Sequence, residues 1–191
     1  MLNKLPITNK KAVRVAYGET LVELGGLDQN VVVLDADVSS STQSKLFAQK
    51  YPERFINVGI AEANMMAVAA GLAACGKIPF VNTFAVFCTL RAGDPLRSVV
   101  AYPELNVKIA GGYSGVSDSY DGATHQSVED IAIVRSIPNI KVIVVADATE
   151  ARLATMAAAK LKGPVYLRLS RAEVPIIFDA DYHFVFGKAH E

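Results

Sequence analysis

Four short runs rich in β-branched residues constrain this chain most: 31–34 (Val-Val-Val-Leu), 107–110, 142–145 and 165–167. The first and third are apolar at every position, and strands of that kind belong in a sheet covered on both faces. Between the runs lie segments with apolar residues at helical spacing, over 13–24, 42–50, 62–74, 127–136 and 150–162. This alternation predicts a three-layer α/β/α fold built on a mostly parallel sheet. Asp147 with Glu150 three residues later resembles a capping box at the start of the last helix, with Asp in place of Ser or Thr. After Arg171 the pattern weakens, so a domain over 1–175 followed by a linker over 176–191 is expected.

At 191 residues and 51% hydrophobic content, one domain can bury a two-sided core. A formal net charge of zero provides no general drive toward nucleic acid or an anionic membrane. Gly, Pro and charged residues break every apolar run before the ~18 residues of a membrane span. Residues 1–11 are polar and lysine-bearing, unlike a secretory leader. Cys75 and Cys88 read as buried thiols in a reduced, cytoplasmic setting. No Gly-x-Gly-x-x-Gly, P-loop or Gly-x-Ser-x-Gly pattern occurs.

Candidate polar residues cluster just past the expected strand ends: Asp35 and Asp37, Thr83, 111–113, Asp147 and Arg171. In open parallel sheets the ligand crevice lies outside that edge. Glu62, in Gly59-Ile60-Ala61-Glu62, opens a long apolar helix. An acid in a first turn is stabilised there without any function. The small residues after it, among them Ala67, Ala70 and Gly71, let another helix approach, so a subunit contact is expected on this helix. A carboxylate held at such a contact could hydrogen-bond and protonate a ring nitrogen of a bound heterocycle. Phe84 and Phe87 could stack on a flat ring or fill the core. Asp121 and His125, in Asp121-Gly122-Ala123-Thr124-His125-Gln126, can hold hydroxyl and carbonyl groups; a glycine turn explains Asp-Gly as simply. No second His or Cys stands at ligand spacing from His125, so no metal is assigned to it.

With these islands in order, residues 12–175 resemble the pyrimidine-binding domain of transketolases. The resemblance rests on Arg14, Ala36-Asp37-Val38-Ser39-Ser40-Ser41, Gly59-Ile60-Ala61-Glu62, Thr83-Phe84-x-x-Phe87, Asp121-Gly122-Ala123-Thr124-His125-Gln126, Ile137-Pro138-Asn139 and Leu169-Ser170-Arg171. It implies thiamine diphosphate as cofactor and transfer of a two-carbon ketol unit between sugar phosphates. Glu62 would bond N1′ of the aminopyrimidine, Phe84 and Phe87 would wall its ring, and His125 would serve catalysis beside Asp121 at the substrate. Arg14, Ser41 and Arg171 would contact the sugar phosphate, where an arginine fork suits phosphate oxygens. Tyr113 stands where transketolases carry a substrate-facing His, Ser119-Tyr120 replaces their Gly-Glu, and Leu90 replaces a Tyr at the cofactor wall.

The resemblance also implies what lies outside this stretch. Mg2+ would be held mainly by a diphosphate-binding domain that this sequence does not carry. The chain is therefore expected to be a truncated form or a fragment of the second subunit of a split enzyme. It would work with a diphosphate-binding transketolase subunit, form a homodimer, and be inactive alone. Deoxyxylulose-phosphate synthase is disfavoured because it typically has Arg at the position of Phe87. The β subunit of a 2-oxoacid dehydrogenase lacks the Asp-Gly-x-Thr-His-Gln signature. A non-catalytic interaction module is a third reading, against which the retained Glu62 argues.

Overall fold

The computed structural model describes residues 9–179 and 181–189. Six parallel strands form the central sheet: β2 (Val31–Asp35), β3 (Phe55–Asn57), β4 (Ile78–Phe84), β5 (Lys108–Gly112), β6 (Lys141–Val144) and β7 (Val165–Arg168), in the order β3-β2-β4-β5-β7-β6. A separate antiparallel pair joins β1 (Lys10–Ala12) to β8 (Glu173–Pro175). Successive strand residues alternate between two cores, as the period of two requires. Val31, Val33, Phe80, Val165 and Leu167 pack with α1 (Val13–Leu27) and α7 (Ala148–Lys160). Val32, Leu34, Val81, Ile109 and Tyr166 pack with α4 (Glu62–Ala74) and residues at the end of α6 (Asp130–Ser136). The three-layer α/β fold is thus present, with both sheet faces covered.

The chain leaves β2 toward β3 on one side and β4 toward β5 on the other, so the topology reverses between β2 and β4. A ligand crevice is favoured outside the carboxyl ends of the strands at such a switch point. Glu62 begins the helix that follows β3, and Phe84 ends β4.

Several expectations need correction. The helix expected over 42–50 is two pieces, α2 (Ser39–Thr42) and α3 (Lys45–Lys50), broken at Gln43 with φ 65°. Its cause is Asp35, which draws in the Thr42 and Ser44 hydroxyls at 2.9 and 2.8 Å and competes with a continuous helix. Helix α6 starts at Asp130 instead of 127, because Ser127 exchanges backbone hydrogen bonds with Gly115. Thr83, Gly111 and Gly112 lie inside strands instead of past their ends, Thr83 in register with Gly111 and Phe84 with Gly112 across β4 and β5. Residues 87–101 are helical, with wide π-type turns over Phe87–Arg91 and Leu96–Ala101 around the short α5 (Gly93–Pro95). Cys88 is buried, but Cys75, at the carboxyl cap of α4, is exposed. No helix among the described residues is long and apolar enough to cross a membrane.

The expected cap of α7 forms, and it does more than start a helix. Buried Asp147 accepts from Glu150 N at 2.8 Å through Oδ1 and from Ile177 N and Phe178 N at 2.7 and 2.9 Å through Oδ2. Glu150 Oε2 in turn accepts from Ala146 N at 2.7 Å. One carboxylate therefore ties residues 177–178 to the helix, and Phe184 packs against the same core. Asp147→Ala is expected to cost about 3 kcal/mol, since it removes a cap and strands two further N–H donors. Urea unfolding followed by circular dichroism measures this; a loss under about 1 kcal/mol contradicts the assignment.

Candidate functional site

The carboxyl edge of the sheet gathers most of the expected site residues into one continuous row. At one end is Glu62, only 2% exposed in the first turn of α4. Arg91 holds it through one nitrogen, Nη1 donating to both carboxylate oxygens at 3.0 Å. The Arg91 guanidinium also lies over the Phe87 ring, 4.3 Å from its centroid. The Arg91 side chain is half exposed while its partner is buried, so the pair faces solvent from the cation's side only. Arg91 is not among the expected site residues; its separation from Glu62 in sequence hides it.

The aromatic centre follows. Phe84 and Phe87 lie 5.8 Å apart at an interplanar angle of 16°. Tyr113 stacks on Phe84 at 4.2 Å and 10°, and His125 meets Phe87 edge-on at 5.3 Å. Tyr113 takes φ 56°, a left-handed conformation that a bulky residue adopts only when its surroundings impose it. Here the imposing contacts are the Phe84 face on one side and two arginines on the other. Thr124 Oγ1 lies 3.0 Å from His125 Nδ1 and fixes the ring's direction.

Arg14 and Arg171 form the far end, their guanidinium carbons 5.8 and 5.4 Å from the Tyr113 centroid. Arg14 Nη1 donates to the Ser41 carbonyl at 2.9 Å, and its Nε donates to the Arg171 carbonyl at 3.4 Å. Arg14, Tyr113, Arg171 and the Ser41 carbonyl are therefore neighbours. Asp121 is exposed at the rim. Behind it stands Asp118, fully buried, with Oδ1 3.6 Å from Arg171 Nε. Burial, then the neighbouring Asp121, pushes the Asp118 carboxyl above its ordinary range, while Arg171 and His125 pull it back. Ser117 Oγ accepts from Arg171 N at 3.0 Å and so ties this loop to the arginine.

The set fits a flat, protonatable heterocycle: a buried carboxylate at a helix start, an aromatic wall, and Thr83 Oγ1, buried near the end of β4 with no hydrogen-bond partner among the described residues. Among the described residues no group of three or more His, Cys, Asp or Glu gathers to hold a metal.

A doubly covered parallel sheet with a row of polar and aromatic side chains along its carboxyl edge defines the class: an α/β ligand-binding domain. Within that class, the chain belongs to the family described as transketolase, pyrimidine binding domain, which its residues 9–176 match. It is 48% identical over 176 residues to a protein of Methanocaldococcus jannaschii described as a transketolase C-terminal section, covering 92% of this chain and 56% of that protein. It is 42% identical over 177 residues to the 6-deoxy-6-sulfo-D-fructose transketolase subunit SqwH of a Clostridium species, covering 93% of this chain and 55% of that one. Among solved structures it is similar to a split-gene transketolase in an inactive β4 tetramer: TM-score 0.84, 49% identity, 94% of this chain and 58% of that chain. The chain thus spans little more than half the length of these relatives.

Proposed function

We propose that this chain is the pyrimidine-binding part of a thiamine-diphosphate-dependent transketolase, completed by a diphosphate-binding partner subunit that holds Mg2+. The observation that carries this reading is the buried Glu62, held by Arg91 against the same aromatic wall that includes Phe87. The cofactor, when bound, supplies carbanion-stabilising chemistry that no side chain offers. Glu62 would exchange a proton with the pyrimidine N1′, Phe84 and Phe87 would fix the ring plane, and Asp121 and His125 would hold the hydroxyl and carbonyl groups of a ketose. Arg14 and Arg171, with Ser41 and Tyr113 beside them, would receive the substrate's anionic terminus, a sugar phosphate in the family's usual case. The Clostridium relative is named for a ketose whose terminus is a sulfonate, which two guanidinium groups also suit.

A homodimer in the cytoplasm, a domain boundary near residue 175 and a linker beyond it, whose first residues are tied back to α7, complete the proposal. It is supported by the family match over residues 9–176 and by the exposed Ala63, Ala67 and Gly71 on the outer side of α4, which leave room for a partner helix. The test mixes the chain with a diphosphate-binding subunit, thiamine diphosphate and Mg2+, and follows ketol transfer from xylulose 5-phosphate to ribose 5-phosphate. Cofactor binding with ketol transfer is the expected result. Absence of cofactor binding in the mixture overturns the reading in favour of a non-catalytic module.

A further inference from the structure

Asp118 is the least explained group beside the site. Its side chain has no exposure, no N–H or hydroxyl group of the described residues donates to either carboxylate oxygen, and the Asp121 carboxyl stands beside it. Arg171 Nε, 3.6 Å away, likewise has no hydrogen-bond partner among the described residues. The loop does not leave this contact to chance. Ser117 Oγ bonds Arg171 N, Gln126 Nε2 donates to the Asp118 carbonyl at 3.2 Å, and Arg171 packs over Tyr120 at 4.8 Å. A buried carboxylate costs free energy unless something nearby needs its charge; Asp121 beside it adds to that cost, and the opposite charge that offsets it is Arg171.

We infer that Asp118 is a specificity-determining residue: its carboxylate offsets Arg171, so this end of the site takes a ketose with a singly charged or uncharged terminus over one with a phosphate dianion. The inference rests on the proposed function for the word ketose, but its electrostatics stand on the chain alone. Two arginines flank Tyr113, and the Asp118 carboxylate, with Asp121 beside it, draws the net charge of this end down from two. Coulomb energy scales with ligand charge, so removing the carboxylate favours a dianion twice as much, in logarithmic terms, as a monoanion, and a neutral group not at all.

The test titrates the full chain at about pH 8 with methyl phosphate, a dianion there, and methanesulfonate, a monoanion of similar size, following the Arg171 Nε–H resonance. Asp118→Asn is expected to tighten methyl phosphate about tenfold and methanesulfonate about threefold. A matching melting temperature for Asp118→Asn separates the effect from misfolding. Equal gains for both anions, unchanged methyl phosphate affinity, or no binding to either protein overturns the inference. Ketol transfer is read separately: a reconstituted mixture that transfers nothing from any ketose defeats the proposed function and leaves the charge scaling to be judged on its own.

Discussion

On the proposed function, Glu62→Ala is expected to lower ketol transfer by the reconstituted enzyme by about a thousandfold, while the chain stays folded. The magnitude is that of losing a positioned proton-exchanging group, here at a ring nitrogen whose tautomer controls the cofactor. Stability is expected to change by no more than about 1 kcal/mol, because the ion pair it breaks leaves a half-exposed arginine that water can solvate. That separation makes the variant informative. Glu62→Gln sharpens it: the amide retains the shape and one acceptor for Arg91 but cannot give up a proton, so its activity should fall nearly as far. Steady-state kinetics with a thermal melt of each variant checks both halves. Glu62→Gln with more than about a tenth of wild-type transfer rules out proton exchange as the role of Glu62.

The readable parts of the molecule are those whose signal is local. Strand β2 announces itself because five consecutive residues are buried, and α4 is delimited at both ends because an acid opens it and a helical run of apolar and small residues follows. Residues 87–101 do not read as helix because their turns are wide and their apolar spacing departs from 3.6. Thr89 Oγ1 bonding the Ala85 carbonyl adds to that departure. The site divides along the same line. Glu62, Phe84, Phe87, His125, Arg14 and Arg171 are legible as residue types in motifs, whereas Arg91 and Asp118 matter through partners far along the chain. An acid within Ser117-Asp118-Ser119-Tyr120-Asp121 looks like an ordinary loop residue. Only folding buries it against an arginine 53 positions later (171 − 118). The one available signal is the second carboxylate three residues on, a spacing that hints at paired acids.

Gly111→Ala is expected to cost about 3 kcal/mol or more, a large fraction of the stability of a domain this size. The strand β5 passes so close to Tyr166 that a Cβ at Gly111 would sit 2.3 Å from its hydroxyl oxygen and 2.7 Å from two ring carbons. Tyr166 cannot step aside cheaply. It is fully buried and donates to Asp130 Oδ2 at 2.9 Å, the same oxygen that accepts from Arg168 Nε at 2.8 Å. Moving the ring therefore breaks a hydrogen bond to a buried carboxylate as well as the packing around it. Gly93 provides the contrast within the same chain: it opens α5, no atom of the described residues outside its own turn stands within 4 Å of the place a Cβ would occupy, and its φ is ordinary. Gly93→Ala should raise stability by about 0.5–1 kcal/mol through helix propensity and a less flexible unfolded chain. Chemical denaturation of the two variants in parallel gives opposite signs if close approach, and not the mere loss of a glycine, governs β5. A Gly111→Ala protein as stable as wild type would mean that β5 and β7 pair with more slack than this register allows, and the Phe84–Tyr113 stack built on the end of β5 would lose its rigid support.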